Sequence, residues 1–365
     1  MQERIIIADT NSRPEFSRFE ANLANGTSLP IFPLCYPEDG RSGIVIVGDY
    51  VAQDFVKYAV ANNPNFRQQW IVIGTTQSDA VPTDCRDVDF NLFTNLAGVA
   101  RYLASDARNV PYSIDPSDGH FVDPQIFYPD PQNQKQWDIV YPAKWYPTKN
   151  TEILIRAAQL DTALRVAIYG WPVVSERKIK QSMAYRDYLF DMAKESPNID
   201  MFDSGFDCGS LTHYNHDGSV VVGNLTKAEM RDKFYQKARA SIFLSETTES
   251  INRACTEMLC CGVPMLVAPT NGGLDRLVTP RSGVMIDRSP EGILDGIHQV
   301  LDNYDKFDPR ASFLQKYGRD NANDIIKVLV QSIATRKRVD VNWPSYKKYG
   351  GDLWTLPEMY RKVFQ

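Results

Sequence analysis

The chain has 365 residues, with 40 Lys+Arg against 45 Asp+Glu and a formal net charge of -5. At about 150 residues per domain this length predicts two domains, and 43% hydrophobic with 23% charged residues is the composition of a folded chain. No apolar run approaches the ~18 residues of a membrane-spanning helix, and the mild acidity excludes coating of nucleic acid by bulk charge.

The start, MQERIIIADT, has no signal-peptide layout, and the six cysteines form no CxxC pairs and have no ligand-spaced histidines. The expectation is a cytoplasmic protein without structural zinc or a disulfide framework.

Taken in chain order, Arg4–Ala8, Ile44–Val47 and Trp70–Ile73 are short β-branched runs, predicted to be buried parallel strands. Ala52–Asn62 puts Phe55, Val56, Tyr58, Ala59 and Ala61 near one helical face. Signals between Val81 and Asp118 are mixed, with one helix predicted at Asn95–Ala104. Phe127–Gln136 (FYPDPQNQKQ) holds two prolines and a polar tract and is the best linker in the chain.

After it come a strand at Trp137–Ala143, a loop containing Pro147, and a helix at Asn150–Leu160 that Asn150 can cap. Leu164–Tyr169 is the next strand, ended by Gly170. A helix at Ala184–Ser196 and a strand at Ile199–Phe202 follow, and a hairpin within Asp207–Val222 turns at its Asp-Gly pair. Lys227–Ala238 reads as a helix, Ala240–Leu244 as a strand, Asn252–Cys260 as a helix and Pro264–Ala268 as a strand. Helices at Pro290–Tyr304 and Arg319–Arg336 complete the pattern. Alternating buried strands and amphipathic helices imply a doubly wound parallel sheet.

The chemistry concentrates in Ser245–Gly273, SETTESINRACTEMLCCGVPMLVAPTNGG. Glu249 falls in the loop after a strand, and Glu257 about two turns into the next helix. Ligands of doubly wound sheets bind at the carboxyl ends of strands. The amides opening the helix at Ile251–Arg253 make an anion seat. Glu257, deeper on the same face, can accept from both hydroxyls of a ribose. Lys144 and Lys149 leave a neighbouring strand end as two cations for a diphosphate. His213 and His216 have no acidic or Cys partner at metal-ligand spacing, so no metal site is predicted. Asp49 and Tyr50 follow IVIVG at a strand end and are candidate acceptor contacts.

These segments resemble the retaining nucleotide-sugar glycosyltransferases of the GT-B fold, family 4. The resemblance rests on VYPAKWYPTKNTEILIRAA, on VVVGNLTKAEMRDKFYQKARASIFLS, on the Glu-x7-Glu pair and on CCGVPMLVAPTNGGLDRLV, with HFVDPQIFYP leading in. It runs over Gly119–Ile286 in the family's order. The fold it implies is α/β GT-B, two Rossmann-like doubly wound parallel-sheet domains facing across a cleft. The first spans 1–130, the donor-binding domain spans 131–344, and 345–365 packs back on the first.

The implied reaction moves a sugar from a nucleoside diphosphate sugar to an acceptor hydroxyl, with retained configuration and no metal or other cofactor. The resemblance implies that Lys144 and Lys149 bind the diphosphate, Glu257 the ribose and Glu249 the transferred sugar. Ser250, Ile251, Asn252 and Arg253 would add main-chain contacts and Leu225 would present backbone to the base; Gly170, at the end of its strand, is a further candidate for donor binding. Asn252 stands where the family commonly has Gly. The first strand's exit, IIIADTNSRPEF, lacks the usual glycines, and His120 does not align with the family's histidine. The acceptor is left open between a glycan, a glycolipid and a small molecule, with DNA disfavoured by the net charge. The alternatives are a nucleotide-sugar epimerase on the same fold and a non-enzymatic nucleotide-sugar-binding module.

Overall fold

The computed structural model describes residues 5–8, 19–22, 28–31, 43–48, 60, 64–76, 88–93, 96–104, 110–113, 120, 122–172, 178–203, 210–214, 220–224, 227–246 and 251–338. The chain divides into two compact units, Met1–Phe121 with Arg319–Gln365, and Val122–Gly318. The first boundary therefore lies before the expected residue 130, and the return to the first unit begins at 319. The segment 345–365, the helix predicted at 52–62 (apart from Val60), and Asp49 and Tyr50 lie outside the described residues.

In the first unit, β1 (Ile5–Ala8), β4 (Gly43–Gly48), β5 (Trp70–Thr76), β6 (Phe90–Phe93) and β7 (Tyr112–Ser113) form a parallel sheet in that order. The strands β2 (Phe19–Asn22) and β3 (Ser28–Ile31) pair antiparallel in a separate two-stranded sheet. Helix α1 (Phe66–Gln69) precedes β5, and α2 (Leu96–Leu103) follows β6. All three predicted strands are present. The strand β6 was not legible because FNLF is buried on every residue and carries no alternation, with Asn91 among the buried ones.

The second unit builds one eight-stranded sheet. It begins with β8 (Trp137–Lys144), α3 (Thr151–Leu160), β9 (Val166–Trp171), α4 (Ile179–Ala193) and β10 (Ile199–Asp203). A hairpin of β11 (Ser210–Tyr214) and β12 (Val220–Asn224) follows, then α5 (Lys227–Lys233), β13 (Ala238–Phe243), α6 (Arg253–Cys260), β14 (Met265–Val267) and β15 (Gly283–Met285). Helices α7 (Pro290–Asp302) and α8 (Pro309–Leu314) close the unit.

The strand order is β12-β11-β10-β9-β8-β13-β14-β15, parallel from β10 to β15. Successive strands run outward from β8 on one side, and the chain then returns to place β13 on the other. The order therefore reverses between β8 and β13, and that switch point is where an open α/β sheet leaves a crevice.

Burial explains the period-free strand sequences. Seven of the eight residues of β8 are buried and only Lys144 is exposed, as in a strand covered on both faces. Trp137 stacks on Phe234 at 5.8 Å between centroids, and Phe202 meets Phe234 edge-on at 4.8 Å. Helix α4 turns Ser182, Tyr185, Leu189 and Ala193 inward, a spacing of three and four. It begins at Ile179, earlier than expected.

Two expectations need correction. The tract 127–136 is not a free linker: Phe127 is buried, and the main chain before and within the tract is pinned to the second unit. Arg310 donates to the carbonyls of Pro124, Phe127 and Cys260 at 2.6–2.9 Å, and Arg231 to that of Ile126 at 2.8 Å. Gln236 donates to the carbonyl of Tyr128, whose ring Arg231 covers at 4.2 Å. The helix predicted over 227–238 ends at Lys233 and tightens into a 3-10 turn, Tyr235–Lys237, because β13 already starts at Ala238 to pair with Trp137.

The helix α9 (Arg319–Lys337) belongs to the first unit and is tied to β5. Lys337 Nζ donates to the Trp70 carbonyl at 2.8 Å and to both carboxylate oxygens of Asp89, which also accepts from the Val72 amide.

Candidate active site

A cavity of about 410 Å³ opens at the switch point of the second unit. Its floor is the carboxyl end of β8, residues 141–144, with Phe243 and Ser245 at the end of β13. Tyr169 and Trp171 of β9 form one wall. Asn252, Arg253, Ala254 and Glu257 of α6, with Lys149, Tyr235 and Met230, complete the lining. The ladder between β8 and β13 ends at Val140–Ser241, so the strand ends beyond it are unpaired with each other and the cavity lies there.

Lys149 is held by an interlocked pair of loops. Its Nζ donates to Ser245 Oγ at 3.1 Å, its carbonyl accepts from the Tyr141 hydroxyl at 2.5 Å, and the Glu246 amide donates to the Thr148 carbonyl at 3.1 Å. Asn150 follows with φ 53 and ψ 36, a left-handed conformation that Asn tolerates better than most residues. It was expected to cap the helix with its side chain, and it does not. The Asn150 side chain is buried, and its Nδ2 instead donates to the Leu244 carbonyl at 2.9 Å. The same carbonyl accepts from Arg288 Nε at 2.9 Å, and Arg288 Nη2 reaches the carbonyls of Ser245 and Pro269. The loops after β8 and β13 thus form one rigid rim.

The opposite side is the start of α6. Asn252 is its N-cap, with Oδ1 accepting from the Cys255 amide at 2.8 Å. The first residues of the helix, Arg253 and Ala254, line the cavity, where the positive end of the helix favours an anion. Ile251 is buried and does not line it. Glu257 sits one turn further in, and Tyr235 Oη donates to Glu257 Oε2 at 2.9 Å. Burial, and then the Glu257 charge, pushes the Tyr235 phenol well above its usual value, so it remains a donor.

The sequence-predicted residues Lys144, Lys149, Asn252, Arg253 and Glu257 therefore meet in one cavity. Gly170 is buried beside it, and its neighbours Tyr169 and Trp171 line it instead. A Cβ on Gly170 would stand 2.3 Å from the Trp145 ring, so its missing side chain makes room for that buried indole directly after Lys144. Glu249, Ser250 and Leu225 lie outside the described residues.

Tyr235, Asn150 and Arg288 were missed. The 3-10 turn that carries Tyr235 is not a sequence-visible element, and the partners of Asn150 and Arg288 are distant in the chain. His120 is fully buried, in the first unit. Among the described residues no group of three or more His, Cys, Asp or Glu is placed to hold a metal ion, and no helix is long and apolar enough to cross a membrane.

Residues 210–320 match the family described as glycosyl transferases group 1. No curated protein matches the chain. Among solved structures it is similar to sucrose-phosphate synthase from Thermosynechococcus elongatus, at 14% identity and TM-score 0.55 over 80% of this chain and 74% of that one. It is also similar to HepE of Anabaena in complex with UDP and glucose, at 13% identity and TM-score 0.56 over 79% and 78%. The pneumococcal O-GlcNAc transferase GtfA, in complex with UDP and GlcNAc, is 12% identical with TM-score 0.54 over 80% and 57%. At such identities the likeness is one of fold. The chain has the GT-B fold, and its segment 210–320 is similar to the group 1 glycosyl transferases.

Proposed function

We propose that the protein is a metal-independent retaining glycosyltransferase, which moves a hexosyl or pentosyl group from a nucleoside diphosphate sugar to an acceptor hydroxyl. The observation that carries this reading is the meeting of Lys149, the start of α6 and Glu257 in one cavity at the sheet's switch point. Two ammonium groups, Lys144 and Lys149, face a diphosphate with the amides of α6 as further donors. Glu257 takes the ribose hydroxyls, and Glu249 contacts the sugar. Ser250, Asn252 and Arg253 contribute around the diphosphate, Leu225 presents backbone to the base, and Gly170 keeps the site's edge in shape.

In the reaction the bond from the anomeric carbon to the β-phosphate oxygen breaks and one to the acceptor oxygen forms on the same face. The acceptor's proton passes to the departing phosphate. Negative charge grows on that phosphate, and the lysines and helix amides stabilise it without reorganising. Neighbours of the same fold hold UDP beside glucose or GlcNAc, which supports a nucleotide-sugar donor here. A glycan, glycolipid or small-molecule hydroxyl in the cytoplasm fits as acceptor.

The test is a panel of UDP-, GDP- and ADP-sugars scored for binding and for slow hydrolysis, with the anomeric configuration of the product read by NMR. Binding and hydrolysis that Glu257→Ala and Lys144→Ala with Lys149→Ala abolish support the reading. Turnover of the donor to an epimer without acceptor, or binding unchanged in these variants, overturns it.

A further inference from the structure

We infer that Tyr235 is a positioning residue for nucleoside recognition: its hydroxyl orients the Glu257 carboxylate so that the cavity selects a ribose over a 2′-deoxyribose. The inference deepens the proposed function and rests on the reading of Glu257 as the ribose acceptor.

Several observations converge on it. Tyr235 lies on the 3-10 turn Tyr235–Lys237, is almost fully buried, and still lines the cavity. Its Oη donates to Glu257 Oε2 at 2.9 Å. Its ring sits 6.1 Å from that of Phe127, in the segment that Arg310 and Arg231 pin down, so the phenol has a fixed base.

A carboxylate has about four acceptor positions, and one phenol takes one of them. With that position occupied, rotation of the carboxyl about its terminal torsion, otherwise broad, is restrained. A vicinal diol needs both oxygens at a set angle, whereas a single hydroxyl does not, so the restraint acts on discrimination between the two sugars. Buried as it is, the phenol stays protonated and cannot become a competing anion beside Glu257.

The experiment measures dissociation constants of UDP, GDP and ADP, each beside its 2′-deoxy form, for the intact protein and for Tyr235→Phe and Glu257→Gln. Tyr235→Phe keeps the ring and its packing, and thermal unfolding checks that both variants are folded. The parent is expected to prefer the ribonucleotide about tenfold, the scale of one hydrogen bond to a charged group. Tyr235→Phe should bring that ratio near one while leaving binding of inorganic diphosphate unchanged.

A purely structural role for Tyr235 would weaken both nucleotides together and preserve the ratio, which overturns the inference. If Glu257→Gln abolishes the preference and Tyr235→Phe retains it, the ribose reading stands and the role of Tyr235 falls. Absence of any preference in the parent sinks the ribose reading itself.

Discussion

Lys149 Nζ donates to Ser245 Oγ across 3.1 Å, and with the Glu246–Thr148 and Asn150–Leu244 bonds it joins the loops that leave the two strands flanking the switch point. Ninety-six residues separate the two in sequence. The ammonium is thereby held at the mouth of the crevice. Lys149→Ala should lower kcat/KM for donor hydrolysis or transfer about 100-fold, the scale of one lost donor to developing negative charge. Ser245→Ala removes only an orienting acceptor and should cost less than about tenfold. Steady-state kinetics with the best donor of the panel measures both, and a Lys149→Ala enzyme of parental activity refutes the assignment.

Asn150 is expected to matter through the rim it braces. Asn150→Ala removes the bond to the Leu244 carbonyl and strains the left-handed backbone at φ 53, for a combined cost of about 2–3 kcal/mol. Asn150→Gly relieves the strain and loses only the bond, so it should unfold later in urea than Asn150→Ala. Equal midpoints for the two variants would show that the backbone conformation carries no energy.

Gly170 gives a steric prediction. A methyl group there would meet the Trp145 indole at 2.3–2.4 Å, and that indole is fully buried and hydrogen-bonded through Nε1 to Asp203. Gly170→Ala should destabilise by about 1–3 kcal/mol by overpacking. It should also displace the strand end at Lys144, visible as weaker nucleotide binding at a temperature where the variant is still folded.

Arg310 serves three carbonyls, those of Pro124, Phe127 and Cys260. Arg310→Ala leaves part-buried acceptors without their charged donor and should cost about 3 kcal/mol in urea unfolding. Proteolysis should then cut near 124–136, where the parent resists.

The buried thiols give a pH prediction. Burial pushes Cys260 up to about 12, against the lowering influence of Arg310, and pushes Cys261 well above its usual value. Iodoacetamide at pH 8 should leave Cys255, Cys260 and Cys261 unmodified in the native protein and label them after denaturation, as mapped by mass spectrometry. The folded-state value of Cys260 lies above the unfolded 9.0, so the folded state holds the proton longer. Its contribution to stability is complete below about pH 9 and is lost as pH rises toward 12.

The architecture of the second unit was legible because buried parallel strands are contiguous apolar runs. WDIVYPA, ASIFL and PMLVA announce themselves, and the Asn252 cap marks where α6 begins. That Lys144, Lys149 and Glu257 line one cavity was legible for a related reason: strand ends and helix starts are local features, and the residues that follow them fall at the sheet's carboxyl edge. The first unit was harder, since β6 and the short β7 carry neither alternation nor length.

Length and charge predicted two domains and no bulk affinity for nucleic acid, and the linear pattern named Lys144, Lys149 and Glu257. Tertiary structure alone decided what holds them. Tyr235 meets Glu257 from 22 residues away, and Asn150 meets Leu244 from 94. Arg310 turns an apparent linker into part of the second unit from more than 180 residues away. Local sequence encodes which residues end a strand or open a helix, because those preferences act through neighbouring backbone. Partners of a buried hydrogen bond are chosen by the sheet order, which brings together groups that no local pattern relates.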